Sequence, residues 1–352
     1  MADNRARFLG SNIQIRNQRL SRLWLLRCLA LLALVVLGCV SAAAQYTAYV
    51  PTHKSNSVAV IDTYTDTVVA VIPVQFQPLA VAITPNGAFA YVTNSGYPVG
   101  SNSISVIDTG SNIVVATIPV GSFPVGVAFT PNGTFAYVAN YNSNSVSVIS
   151  TATNTVAATV SVGTGPWGLA ITPNGAFAYV TNLSSNNVSV IDTATNTVVS
   201  TVAVGSAPVA VEVTPNGAFA YVANQSSNNV SVINTATNTV VAAVAVGNVP
   251  VAVAITPNGA FVYVANSGSD NVSVIDTATN TVRSTVAVGW NPPGVAITPD
   301  GAYAYVTNEF SNTVSVVNTA TNTVVDTVQG VALLPQGIAI MHQRNALTGS
   351  CK

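Results

Sequence analysis

The chain has 352 residues, of which 49% are hydrophobic and only 6% are charged. From Gln45 onward it contains four basic residues against ten acidic ones, a net charge of −6. An acidic body without a basic stripe fits a phosphate backbone poorly, so we expect no nucleic-acid partner.

The first 44 residues have the pattern of a secretory signal peptide. A polar, basic segment (residues 1–22) precedes an apolar run from Leu29 to Val40, and small residues follow before Gln45. A basic segment, a short apolar run and an A-x-A site in this order predict cleavage after Ala44.

Two other fates of this segment stay open. Val36-Leu37-Gly38-Cys39 resembles a bacterial lipobox, which would place a lipid on Cys39. The apolar run could also stay uncleaved as an anchor, although it is short for a transmembrane helix. In every case we expect an exported protein, periplasmic, secreted or at the cell surface. It would touch a membrane only through this segment or through the lipid.

Residues 47–340 are built from a repeat of about 42 residues. Each period contains four short segments with strand propensity, separated by turn residues. Four short antiparallel strands in a period of this length are typical of a propeller blade. A Thr-Pro-Asn-Gly turn, or Thr-Pro-Asp-Gly in the last case, begins at Thr84, Thr130, Thr172, Thr214, Thr256 and Thr298.

The period that begins near Pro166 illustrates the four predicted strands. Strand A covers Gly168–Ile171, strand B Phe177–Thr181, strand C Val188–Ile191 and strand D Thr197–Val204. Glycine in the A–B turn supplies a positive φ, and the aspartate that ends strand C is expected to form an Asx-turn.

Counting the strands fixes the number of blades at seven. The chain starts at a strand B, Thr47–Val50, and ends after a lone strand A, Gly337–Ile340. We therefore predict an all-β, seven-bladed β-propeller with four antiparallel strands per blade. Its closing blade combines the N-terminal B, C and D strands with the C-terminal A strand. The predicted domains are a signal peptide (1–44), the propeller (45–342) and a C-terminal tail (343–352).

Tyr91-Val92-Thr93-Asn94 and Tyr179-Val180-Thr181-Asn182 are two copies of a motif that recurs along the repeats. Together with the Val-Ser-Val-Ile-Asp-Thr that follows, the motif resembles the YVTN family of β-propeller repeats. This resemblance implies a seven-bladed propeller of surface-layer and exported proteins, and no single activity. Related seven-bladed folds include a haem domain of nitrite reductase, amine dehydrogenase subunits and lactonases, and likeness of fold does not choose among them.

Residues that usually carry catalysis are scarce. His53 and His342 are expected on opposite faces of the closing blade, which disfavours a shared metal site or a triad. No P-loop, calcium loop or zinc spacing is present. We therefore predict no catalytic residues, no metal and no cofactor. The acids at the end of strand C alternate with Asn and Ser between blades, which indicates turn caps: Asp62, Asp108, Asp192 and Asp276.

Glu212 is the one acidic residue inside a predicted inner strand. The other six A strands carry alanine at its position. Because a buried, unpaired carboxylate is costly, we expect Glu212 to face the central channel, either as a ligand or ion contact or simply in channel water.

The D–A and B–C loops vary between repeats, and both leave the same face of a propeller whose strand A is innermost. Turns on the opposite face are nearly identical. Because loops on a rigid frame carry function, we predict that this face binds an unknown protein, glycan or small-molecule partner. The alternative is that its aromatic side chains only fill gaps between blades. The candidate residues are Phe76, Tyr97, Phe123, Tyr141, Trp167, Trp290, Glu309 and Phe310.

These features favour an exported, non-catalytic binding scaffold of the cell envelope. Two alternatives stand beside it. One is a propeller enzyme or enzyme subunit similar to lactonases or to haem- or quinone-associated propellers, although the expected cluster of His, Lys or Arg is missing. The other is a surface-layer or adhesive structural protein, which low charge and faces rich in Thr and Asn would suit.

Overall fold

A computed structural model describes residues 45–96 and 101–342 of the chain. Apart from one short 3₁₀ turn, Tyr141–Ser143, all regular elements in these ranges are β-strands. The described part contains no helix of sufficient length and apolarity to cross a membrane. The predicted signal peptide with Cys39, the predicted tail (343–352) and Tyr97 lie outside the described residues.

The strands form seven four-stranded antiparallel sheets, which confirms the predicted seven-bladed β-propeller. Blade 1 begins with β1 (Tyr46–Thr52), β2 (Ser57–Asp62) and β3 (Thr67–Pro73). Blades 2 and 3 contain β4 (Pro78–Ile83), β5 (Phe89–Asn94), β6 (Ser103–Asp108), β7 (Ile113–Pro119), β8 (Pro124–Phe129), β9 (Phe135–Asn140), β10 (Ser145–Ser150) and β11 (Thr155–Ser161). Blades 4 and 5 contain β12 (Pro166–Ile171), β13 (Phe177–Asn182), β14 (Asn187–Asp192), β15 (Thr197–Ala203), β16 (Pro208–Val213), β17 (Phe219–Asn224), β18 (Asn229–Asn234) and β19 (Thr239–Ala245). Blades 6 and 7 contain β20 (Pro250–Ile255), β21 (Phe261–Asn266), β22 (Asn271–Asp276), β23 (Thr281–Ala287), β24 (Gly294–Ile297), β25 (Tyr303–Asn308), β26 (Thr313–Asn318) and β27 (Thr323–Val328), and the last strand is β28 (Ala339–His342).

The turns of blade 4 form for the reasons that the sequence indicates. Gly175 has a φ of 73°, as the Thr-Pro-Asn-Gly turn requires. Oδ1 of Asp192 accepts hydrogen bonds from the backbone N–H groups of Ala194 at 2.9 Å and Thr195 at 3.0 Å, which is the expected Asx-turn. The inner strand, however, begins at Pro166, two residues earlier than predicted, because this proline still pairs with the end of β13 across a register irregularity.

The closing blade has the strand order β28-β1-β2-β3, so the two ends of the propeller meet in one sheet as predicted. In this sheet Ala48 pairs with Ile340 and Tyr46 with His342. The backbone N–H of Gln336 also donates to the carbonyl oxygen of Pro51, 2.9 Å away. The final strand lies two residues later than predicted, so His342 ends the strand instead of standing in a turn after it.

Hydrophobic clusters lie between neighbouring blades and hold the ring together. The cluster at the closure joins Val50 and Ile61 of blade 1 to Tyr305 and Val316 of blade 7. A buried tyrosine of each second strand also donates its hydroxyl to the outer turn of the next blade. In this way Tyr179 of blade 4 reaches Oδ1 of Asn238 in blade 5, 2.7 Å away.

Candidate functional site

Two variable positions in each repeat meet at the mouth of the central channel. The first follows the proline that opens the inner strand, and the second follows the last residue of the second strand. In blade 4 they are Trp167 and Leu183, which lie close together because Pro166 pairs with Asn182. Around the ring the first position holds Leu79, Val125, Trp167, Val209, Val251, Pro293 and Gln336, and the second holds His53, Ser95, Tyr141, Leu183, Gln225, Ser267 and Glu309.

Many of these side chains line a cavity of about 420 Å³ on the face from which the D–A and B–C loops leave. The cavity has two unlike walls. Blades 2 to 5 supply a mainly apolar wall that includes Leu79, Val125, Trp167, Leu169 and Val209. Side chains from the B–C loops of blades 5 to 7 and from the segments that enter blades 7 and 1 form a polar wall of Gln225, Ser267, Asn291, Glu309 and Gln336.

Glu309 supplies the carboxylate of the polar wall, and two carboxamides hold it. Nδ2 of Asn291 donates to Oε2 of Glu309, and Nε2 of Gln336 donates to Oε1 at 3.0 Å. The backbone N–H of Glu309 donates to the carbonyl oxygen of Asn291, 3.0 Å away, and the N–H of Asn291 in turn donates to Oδ1 of Asp270 at 2.8 Å. Three segments distant in sequence therefore fix the orientation of this carboxylate.

Burial makes Glu309 a better base than a carboxylate in water. Desolvation raises the pKa of this half-buried side chain, and the hydrogen bonds from Gln336 and Asn291 lower it in part, with a net increase. A carboxylate whose pKa is moved toward neutrality transfers protons more effectively at neutral pH. The polar wall thus contains an oriented candidate general base beside amide and hydroxyl donors.

Trp167 belongs to a row of three aromatic rings at the apolar wall. The centroids of Trp167 and Tyr141 are 5.6 Å apart with nearly perpendicular planes, and Tyr141 in turn lies 5.7 Å from Phe123. Edge-to-face contacts of this kind restrict ring motion. Of the predicted face residues, Trp167 and Glu309 line the cavity, while Tyr141 and Phe123 stand behind Trp167.

The remaining predicted residues on this face lie away from the cavity. Trp290 and Phe310 form an edge-to-face pair, 5.2 Å between centroids, in which the side chains are 61% and 49% exposed. Phe76 is also exposed. The structure therefore divides the predicted set into a cavity group and an exposed group, and a binding role for the exposed group stays a prediction.

Glu212 lies on β16 directly after Val211, which lines the cavity, but Glu212 is not among the lining residues. Its side chain is exposed, while the surrounding protein desolvates the carboxylate and raises its pKa to about 7. That Glu212 faces the central channel stays a prediction. No described contact assigns Glu212 to the cavity.

Sequence reasoning missed Asn291 and Gln336, the two residues that hold Glu309. A comparison of the first variable position across the seven repeats would have revealed Gln336, because the other six residues there are apolar. His53 and His342 lie at opposite ends of the closing blade, as expected from sequence. No group of three or more potential metal ligands occurs within residues 45–96 and 101–342.

Comparison with known proteins gives a family and several similar folds. The profile of the seven-bladed β-propeller lactonase family matches residues 39–159, 150–288 and 255–347. A solved structure of hydrazine synthase from Kuenenia stuttgartiensis is 27% identical, with a TM-score of 0.70 over 78% of this chain and 92% of that chain. No curated protein matches the chain.

Two further solved structures support the fold alone, because their identity to this chain is low. A functionally unknown protein from Desulfotomaculum acetoxidans is 22% identical, with a TM-score of 0.72 over 84% of this chain and 99% of that chain. A candidate 6-phosphogluconolactonase from Bacteroides uniformis is 17% identical, with a TM-score of 0.72 over 85% of this chain and 100% of that chain.

The family match overturns the prediction of a non-catalytic scaffold of the cell envelope and favours the lactonase-like alternative. The prediction was wrong because it equated an active site with a cluster of His, Lys or Arg. A carboxylate fixed by carboxamides in a cavity can also act as a general base. The residues that build this arrangement come together only when the ring closes.

Proposed function

The chain belongs to the lactonase family of seven-bladed β-propellers, and from this premise we propose that it hydrolyses a lactone in the cavity at the channel mouth. Glu309 is the proposed general base. The observation that carries the proposal is the half-buried Glu309 carboxylate, held by Asn291 and Gln336 in a cavity of about 420 Å³. Glu309 is the titratable side chain among the described residues that line the cavity, which supports this choice of base.

The proposed reaction needs one proton acceptor and a polarised carbonyl. The Glu309 carboxylate takes a proton from water while the water oxygen attacks the carbonyl carbon of the lactone. The ring C–O bond then breaks, and protonated Glu309 returns the proton to the departing alkoxide, which yields a hydroxy acid. The Gln225 amide and the Ser267 hydroxyl line the same cavity and can donate to the carbonyl oxygen as negative charge develops there.

The test of this function is hydrolysis of γ-nonanolactone by the purified full chain, followed as acid release. We expect Glu309→Gln to lower kcat/KM by about 10²–10⁴-fold, because the amide cannot accept the proton. In the wild type, kcat/KM should fall as the pH drops through the raised pKa of Glu309, since only the ionised form is a base. An unchanged kcat/KM in Glu309→Gln would contradict the assignment.

Glu212→Gln is the matched control. The substitution removes the carboxylate of Glu212, which is not among the residues that line the cavity. It should leave kcat/KM within about twofold of the wild type. Melting temperatures of both variants establish that each is folded. A loss of activity in Glu212→Gln alone would assign the base to Glu212 and contradict the role of Glu309.

We also propose a repeat type and a location for the protein. The recurring Tyr-Val-Thr-Asn and Tyr-Val-Ala-Asn strands support assignment of the blades to the YVTN type within the broader propeller class. The basic segment, apolar run and small residues before Gln45 support export, with cleavage after Ala44 or lipidation of Cys39. Lactone hydrolysis would then take place outside the cytoplasm.

A further inference from the structure

The charge of the cavity is set by a carboxylate. Glu309 is the charged side chain among the described residues that line it, and the other polar groups there are amides and a hydroxyl. The basic side chains of the described part lie elsewhere. Lys54 is exposed in the β1–β2 loop, and Arg283 of β23 lies over the ring of Phe261, 5.3 Å from its centroid.

This charge distribution opposes an anionic substrate. A phosphate group is normally recognised by Arg or Lys through charge-assisted hydrogen bonds. In this cavity a phosphate would lose its hydration and lie near the Glu309 carboxylate, so repulsion would add to desolvation. The half-buried His53 does not compensate, because burial lowers its pKa and favours the neutral imidazole.

The opposite wall is built for apolar contact. Leu79, Val125, Trp167, Leu169 and Val209 come from the inner strands of four successive blades, which contact one another in turn, and they line the same cavity as Glu309. The ring of Trp167 packs edge to face against Tyr141, which favours one orientation of the indole. An alkyl chain placed on this surface would leave water without losing any hydrogen bond.

We infer that the substrate is an uncharged lactone that carries an apolar substituent, with the ring at Glu309 and the substituent against Trp167 and its neighbours. This inference rests on the proposed lactone hydrolysis and adds the substrate class to it. It separates this chain from enzymes that act on phosphorylated sugar lactones. The apolar wall contacts the substituent, while the polar wall contacts the lactone ring.

The test compares three probes with the full chain: γ-nonanolactone, γ-butyrolactone and 6-phosphoglucono-δ-lactone. γ-Nonanolactone has a five-carbon chain that γ-butyrolactone lacks, and burial of each methylene favours binding by about fourfold. We therefore expect a kcat/KM for γ-nonanolactone about tenfold or more above that of γ-butyrolactone. The phosphorylated lactone should be the poorest substrate. If it is hydrolysed as well as γ-nonanolactone, the inference is wrong while lactone hydrolysis stands.

Two variants locate the apolar subsite. Trp167→Ala and Leu79→Ala each remove contact area from the wall, and each should reduce the preference for γ-nonanolactone over γ-butyrolactone several-fold. Activity toward γ-butyrolactone should fall less than activity toward γ-nonanolactone, because the smaller lactone has no alkyl chain to place on this wall. Equal preference in wild type and both folded variants would place the substituent elsewhere and overturn the inference.

A binding measurement separates failure of the substrate class from failure of the function. Tryptophan fluorescence of Glu309→Gln is titrated with γ-nonanolactone and with 6-phosphogluconate. Binding of γ-nonanolactone without turnover by the wild type would refute lactone hydrolysis but support the apolar subsite. Tighter binding of 6-phosphogluconate would refute the substrate class. Absence of both binding and turnover would refute both proposals.

Discussion

At the scale of single residues, the ring depends on a tyrosine–asparagine pair that is repeated between neighbouring blades. Each buried tyrosine hydroxyl donates to an outer-turn side chain of the next blade, and that side chain stands at a positive φ that asparagine tolerates well. The pair at the closure differs, because Tyr305 donates to Oδ1 of Asp66 at 2.5 Å. The closure therefore contains an ionisable acceptor where blades 2 to 7 use Asn112, Asn154, Asn196, Asn238, Asn280 and Asn322.

Replacement of Asp66 by asparagine should stabilise the protein at neutral pH. Burial raises the pKa of Asp66, the Tyr305 hydrogen bond lowers it, and the nearby charges of Asp326 and Asp62 raise it further, with a net increase. The contribution of Asp66 is thus present below its pKa in the unfolded chain and is lost as the pH rises through its folded pKa. We expect Asp66→Asn to increase the melting temperature at pH 7 by about 1–2 °C.

The pH dependence distinguishes this explanation from a general packing effect. The gain from Asp66→Asn should shrink as the pH is lowered to about 3.9, the ordinary pKa of aspartate, because protonation then neutralises the wild-type side chain. The reverse change Asn238→Asp in blade 5 serves as a matched control and should destabilise at pH 7. A gain of equal size at both pH values would contradict the electrostatic explanation.

At the scale of the strand, the inner strands pack edge against edge around the channel, and small residues make this possible. A Cβ atom added to Gly168 would lie 2.4 Å from the carbonyl oxygen of Val209 in the next blade, and one added to Gly126 would lie 2.5 Å from that of Trp167. No real side chain tolerates such a distance, so these glycines allow the inner strands of blades 3 to 5 to approach closely. The same strands carry the apolar wall of the cavity.

Gly168→Ala should therefore destabilise the propeller. Because the obstructing atom belongs to the backbone, β12 or β16 must move, and we expect a decrease of about 1–3 kcal/mol in the free energy of unfolding in urea. Ala252 occupies the equivalent position in blade 6, so Ala252→Gly is the control, with a loss of at most about 1 kcal/mol. Equal stability of Gly168→Ala and wild type would show that the two strands separate freely.

At the scale of the whole molecule, closure of the ring both stabilises the fold and creates the proposed site. The segment before β28 supplies Gln336, whose side chain holds Glu309 of blade 7 and whose backbone N–H donates to Pro51 of blade 1. β28 itself completes the sheet of blade 1. Closure and orientation of the candidate base therefore depend on the same short stretch of chain.

Deletion of residues 335–352 should abolish both the closure of the ring and the orientation of Glu309. The truncated chain would lose the inner strand of blade 1 and expose the edge of β1, so we expect its melting temperature to fall by roughly 10 °C or more and aggregation to increase. Deletion of 343–352 alone leaves β28 intact and should change neither stability nor lactone hydrolysis. Calorimetry measures the melting temperature, and light scattering measures aggregation. If the 335–352 deletion melts at the same temperature as the full chain, the role of β28 in closure is refuted.

The fold was predictable because its determinants are local and repeated. Each period carries its own strand propensities, and turn chemistry at residues such as Gly175 and Asp192 does not depend on distant parts of the chain. The errors in the strands are confined to one or two residues at their ends, as at Pro166, where pairing with a neighbour continues beyond the residues with a clear pattern, and at the last strand, which lies two residues later than predicted. The sequence also indicated the face of the candidate site. The D–A and B–C loops on that face vary between repeats, whereas the turns on the opposite face are nearly identical.

Period, turn residues and strand order can be counted along the chain. They therefore predict the number of blades, the strands within each blade, the split closing blade and a common face for Trp167 and Glu309. Which of the face residues share a cavity could be read only from the folded ring. It brought Asn291 and Gln336 to Glu309, and it left Trp290 and Phe310 exposed. Contacts between blades depend on the radius and closure of the ring, and no single repeat encodes either of these.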